Sequence, residues 1–180
     1  MIKKTITTIL IILGLIALFF LLKYANRTQY YNHVTLSEDN YIINFTPNKY
    51  VDTIVSVGLK ELDVKNCSIT IEEMPQSVKD MFYLQNQLNL QATVYGDNFM
   101  FSILTSDLNR SEAILIISHE LLHLKQYNSG RLVYEDNGDI TFDNKVYKIT
   151  DLPYNDRPWE VEAFKEQSDL ANKVHKILIP

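Results

Sequence analysis

The chain has 180 residues, 46% hydrophobic and 11% aromatic, enough for one globular core and too short to suggest two. Its formal net charge is −5, and without its first 24 residues it holds 14 basic against 22 acidic side chains, a net charge of −8. Such an acidic domain, with no basic cluster, excludes nucleic acid as a main partner. The single cysteine, Cys67, excludes an internal disulfide.

Residues 1–24 carry Lys3 and Lys4, then an apolar run from Ile6 to Leu22 broken only by Thr7, Thr8 and Gly14, then Lys23. As a helix the run would span roughly 25 Å. A cleaved signal peptide and a retained signal anchor both fit such a pattern. The anchor is preferred, because the run is longer than a usual signal-peptide core and Lys23 stands where a small residue would precede cleavage at Ala25. The expectation is a single-pass membrane protein, in contact with the lipid bilayer through residues 6–22 and with its remaining domain extracytoplasmic.

Residues 25–40 are polar and aromatic without periodicity and read as a tether, so the folded domain is expected over 41–180. Tyr41 to Phe45 reads as a strand. Thr46-Pro47 introduces a helix whose apolar positions Tyr50, Val51, Ile54, Val55, Leu59 and Leu62 keep roughly the 3.6 period. Cys67 to Glu72 alternates as a strand, and a short helix follows over Ser77 to Leu84. Leu90–Tyr95 and Phe99–Leu104 flank Gly96-Asp97-Asn98 as a hairpin.

The next helix is expected from Arg110 to Asn128, with Asn109 and Glu112 as a capping box and Gly130 just past its end. Its centre reads His119-Glu120-Leu121-Leu122-His123. Imidazoles at i and i+4 share a helical face and can give one nitrogen each to a single Zn²⁺, while Glu120 can take a proton from a water there. A second hairpin, Arg131–Tyr134 with Ile140–Ile149, has no evident chemistry. A final helix runs from Pro158 to about Leu178, with Trp159 as its core anchor.

A catalytic zinc needs a third protein ligand. His33 and His175 are poorly placed for it, which leaves Glu160 and Glu162. Glu162 shares a helical face with Lys165, Glu166, Asp169, Lys173 and Lys176 and is expected in solvent. Glu160 lies with Ala163, Phe164, Gln167, Ala171 and Val174, pointing inward, where a metal would compensate its burial. Tyr154 and Arg157, just upstream, are oxyanion-donor candidates by position alone.

His-Glu-x-x-His followed on a later helix by Glu resembles the gluzincin-type zinc metallopeptidases over two short windows, 109–127 and 154–164. Glu-x-x-Ala at 160–163 is similar to the third-ligand helix of the CAAX-protease and heat-shock metallopeptidases and of the ImmA/IrrE-type peptidases. The CAAX-protease type has Asp directly after that Ala; here Phe164 stands in its place. The resemblance implies an α+β zincin-like domain with a small, mostly antiparallel sheet, a central His-Glu-x-x-His helix and a C-terminal ligand helix, here preceded by the transmembrane helix. It also implies a sheet edge able to pair with a peptide or protein substrate, for which Phe99–Leu104 is the expected strand. The implied function is zinc-dependent peptide hydrolysis from a membrane anchor. The alternatives are a membrane-tethered zinc-binding or assembly module with little activity and a purely structural zinc site, which has no use for Glu120 as a base.

Overall fold

In the computed structural model, residues 33–36, 39–48, 50–86, 90–97 and 99–179 are described, all within one unit that begins at His33. Strand β1 (His33–Leu36) pairs antiparallel with β2 (Tyr41–Asn44), so residues expected in a tether belong to the sheet. Helix α1 (Val51–Glu61) crosses to β3 (Ser68–Glu73), which lies parallel to β2. Helix α2 (Gln76–Asn86) and the hairpin β4 (Ala92–Asp97) and β5 (Met100–Thr105) follow. β5 pairs parallel with β3 and antiparallel with β4, giving the order β1-β2-β3-β5-β4.

Two of these four pairings are parallel, so the sheet is mixed rather than mostly antiparallel. A parallel pair needs a crossover helix, and α1 supplies one between β2 and β3. The outer strand next to β5 is β4. The expectation that Phe99–Leu104 forms the edge is therefore corrected: β5 is interior, and β4 folds back outside it.

Helix α3 (Arg110–Asn128) opens with the anticipated capping box. Asn109 Oδ1 accepts the amides of Ser111 at 3.1 Å and Glu112 at 3.0 Å, and the Glu112 carboxylate accepts the Asn109 amide at 3.2 Å. Every residue from Ile117 to Leu124 is buried, more than two turns covered on all sides. The sheet contributes Ile69, Ile71 and Ile103 to the same core, and α1 contributes Ile54, Val55 and Leu59. Gly58 lets α1 approach α3 closely, since a Cβ there would lie 2.4 Å from Leu121 Cδ1.

A second, antiparallel sheet of β6 (Leu132–Tyr134), β7 (Ile140–Phe142) and β8 (Lys145–Tyr147) follows α3. It packs Leu132, Ile140 and Phe142 around Trp159, which opens α4 (Pro158–Leu178). The fold is α+β with small sheets. The expected transmembrane helix and single-pass localisation are corrected: among the described residues no helix is long and apolar enough to cross a membrane. The longest, α4, carries charged side chains along its length. Residues 6–22, for which the bilayer contact was expected, lie outside the described residues.

Candidate metal centre

Helices α3 and α4 pack against one another, and the small residues Ala163 and Ala171 on α4 are buried in the core between elements. This brings Glu160, in the first turn of α4, onto the face of α3 that carries both histidines. His119 Nε2 and His123 Nε2 lie 3.0 Å apart, and each is 3.2 Å from the same Glu160 oxygen, Oε2. His119, Glu120, His123 and Glu160 keep 6–7% of their surface exposed, so the cluster is dry on most sides yet still reached by solvent.

Each imidazole is held from behind by an amide. His123 Nδ1 lies 2.9 Å from Gln126 Oε1, and His119 Nδ1 lies 3.0 Å from Gln167 Oε1. The orientation of Gln126 is set by its other end, whose Nε2 donates to the Trp159 carbonyl and to Glu162, each at 3.1 Å. Its oxygen must therefore face His123, so Nδ1 carries the donated proton and Nε2 is left for the site. Glu162 is not the solvent-facing acid expected from helical phase. It is half-buried, accepting Gln126 and two Arg131 nitrogens at 2.8 and 2.7 Å, and Arg131 also grips Asp143 at 2.6 and 2.7 Å. A chain of hydrogen bonds thus runs from the second sheet to His123.

Two nitrogen lone pairs and a carboxylate oxygen aimed at one point repel unless a cation lies among them. A tetrahedral ion bound at ~2.0–2.1 Å would separate its ligand atoms by about 3.3 Å, close to the spacings here. The buried His119, His123 and Glu160 group could hold a metal ion. Without one, a proton meets the same need. Burial alone would lower the His123 pKa, but the hydrogen bond to Glu160 and the charges of Glu160 and Glu120 outweigh it and raise it to about 9. Burial would raise Glu160, yet hydrogen bonds from His119, His123 and Tyr154 hold it down to about 2.

Glu120 sits beside the group on α3. Burial raises its pKa, against the lowering influence of His123, His119 and the nearby Val94 amide of β4. In the β4–β5 ladder Gln91 accepts the Ser106 amide at 2.8 Å, so odd-numbered positions of β4 face β5 and the main-chain groups of Ala92, Val94 and Gly96 face outward. The open edge of β4 thus runs past Glu120.

Of the oxyanion candidates, Tyr154 has its hydroxyl turned to the Glu160 carboxylate, so that burial and this carboxylate together raise its pKa, and Arg157 lies over the Tyr154 ring at 5.2 Å while donating to Asn86 at 3.1 Å. Phe164 packs its ring 4.6 Å from that of His119. Where the resemblance has a carboxylate after the Ala, this chain therefore has an aromatic contact, and Gln167 one turn on takes the imidazole.

Comparison with protein-family models, with curated proteins and with solved structures finds no match. Sequence reasoning missed Gln126 and Gln167. The signal was present in each: Gln126, three positions after His123, shares its helical face, and Gln167 shares the inward phase of Glu160.

Proposed function

We propose that the protein is a zinc-dependent metallopeptidase of gluzincin type, with His119, His123 and Glu160 as ligands and Glu120 as general base. The observation that carries this reading is the convergence of two imidazole nitrogens and one carboxylate oxygen at 3.0–3.2 Å beside a buried glutamate. The donor set of two nitrogens and one oxygen suits zinc and leaves a fourth position open. Zinc, when bound, would polarise a substrate carbonyl and bring the pKa of a water to about 7.

The rest falls to the chain. Glu120, with its pKa raised by burial, is poised to take the proton of the attacking water and return it to the leaving amine. The outward groups of Ala92 and Gly96, with the Val94 amide turned to Glu120, offer an extended peptide a strand to pair with, which would lay its backbone along the cluster. Gln126 and Gln167 keep both Nε2 atoms turned inward, and Tyr154 fixes the Glu160 carboxylate.

The test is to measure zinc in the purified protein and compare peptide-library cleavage by wild type and Glu120→Gln. One zinc per chain is expected in both, with cleavage reduced about 10²-fold or more in the variant. Stoichiometric zinc with no Glu120-dependent cleavage would overturn the peptidase reading in favour of a zinc-binding module. Full zinc affinity in Glu160→Ala would remove Glu160 from the ligand set.

A further inference from the structure

A pocket of about 620 Å³ opens between the tip of the β4–β5 hairpin, β6 and the C-terminal end of α3. Its walls are aromatic, formed by Tyr95, Phe99, Phe101, Tyr127 and Tyr134, and among the described residues no charged side chain lines it. Tyr95, Phe99 and Tyr134 remain 49%, 55% and 57% exposed, so these rings are not spent on the core. Phe99 also has a φ of 67°, where a bulky side chain is disfavoured and Gly or Asn is usual. The chain keeps a phenyl ring on the pocket rim in spite of that.

The pocket lies near the metal group, sharing helix α3 and strand β4 with it. Gly96, on its wall, lies two residues along β4 from Val94, whose amide lies near Glu120, a separation of about 7 Å at strand rise. Tyr127 follows His123 by one helical turn, and its ring stacks on that of Tyr134 at 6.0 Å. The volume falls in the range of small-molecule and side-chain sites and accommodates an aromatic side chain with part of its backbone.

We propose that this pocket receives a large uncharged side chain, aromatic or aliphatic, from an extended peptide lying along β4, one or two residues from the bond that is cut. The assignment rests on the peptidase reading and names its substrate class: peptides with Phe, Tyr, Trp, Leu or Met at that place. An acidic or basic side chain there would lose its hydration against aromatic walls with no ion partner.

The experiment digests a peptide mixture with the zinc-loaded full chain and reads the cut sites by mass spectrometry. One position within two residues of the cut should be enriched in large apolar side chains and depleted in Asp, Glu, Lys and Arg. Phe99→Gly removes a wall while relieving the positive φ, so the fold is kept. Its kcat/KM ratio for a Phe-containing over an Ala-containing peptide should fall about tenfold, the scale of one aromatic contact. Val133→Asp, at an exposed site on the same wall, should shift the preference towards Lys and Arg. Cleavage without an apolar preference, or with one that neither variant alters, overturns the pocket assignment and leaves the peptidase reading standing. Absence of any Glu120-dependent cleavage overturns both.

Discussion

Gln126→Leu tests whether the hydrogen bonds behind the proposed metal ligands hold the site together. The substitution keeps roughly the same volume at a position 2% exposed, but removes the acceptor of the His123 Nδ1 proton and the donor to the Trp159 carbonyl and Glu162. A buried donor left without a partner destabilises the metal-free protein by ~1–3 kcal/mol, while Glu162 keeps Arg131. Freed from its amide, the imidazole of His123 can also rotate or carry its proton on the wrong nitrogen, and loss of such a partner weakens metal binding by about 10–100-fold. At fixed free zinc that weaker binding removes a further ~1.4–2.7 kcal/mol of zinc-dependent stabilisation. Urea denaturation with and without chelator separates the two effects, and competition with a chromophoric chelator gives the affinity directly. A folded Gln126→Leu protein whose zinc affinity stays within twofold of wild type would refute the view that Gln126 orients a ligand.

Zinc affinity should rise about tenfold per pH unit from pH 7 to about 9 and then flatten, because zinc displaces a proton that His123 holds up to about pH 9; a pH-independent affinity would contradict this. In the metal-free protein the raised His123 pKa contributes stability that is complete below its unfolded value near 6.5 and is lost as pH rises through about 9, so the melting temperature in chelator should fall across that window. Gly58→Ala should destabilise the protein by up to ~2 kcal/mol in chemical denaturation, since overpacking against buried Leu121 at ~1–3 kcal/mol exceeds the ~1 kcal/mol gained in helix propensity. A more stable Gly58→Ala protein would show that Leu121 can move aside.

The parts of the fold legible in the sequence are those encoded locally. The capping box at Asn109 and Glu112, the two histidines a turn apart and the inward phase of Glu160 depend on neighbours a few positions away, and the structure has each of them. Order within the sheet depends on partners distant in sequence. β5 reads as an edge because it directly precedes α3, yet nothing in its own residues says that β4 will fold back outside it. Glu162 was misplaced for a related reason. Helical phase sets it among charged neighbours, but phase carries no information about the second sheet, which brings Arg131 against it. The strand at His33–Leu36 is four residues long, too short to carry a legible period.

The two amides bear on how strongly a bound ion would act. A carboxylate behind a ligand histidine draws the imidazole proton towards itself and makes the other nitrogen a stronger donor. A neutral amide fixes the ring but pulls less on that proton, so Gln126 and Gln167 orient His119 and His123 without adding negative charge. Glu160 then supplies the only negative charge among the three ligands, and the carboxylate of Glu120 stands beside them. Against a divalent ion the ligand set leaves a net charge of +1, which Glu120 balances only while it is ionised. Protonating Glu120 restores that positive charge at the site, and this opposes proton uptake just as burial favours it. The two influences act in opposite directions on one carboxylate, as would suit the general base of the proposed reaction.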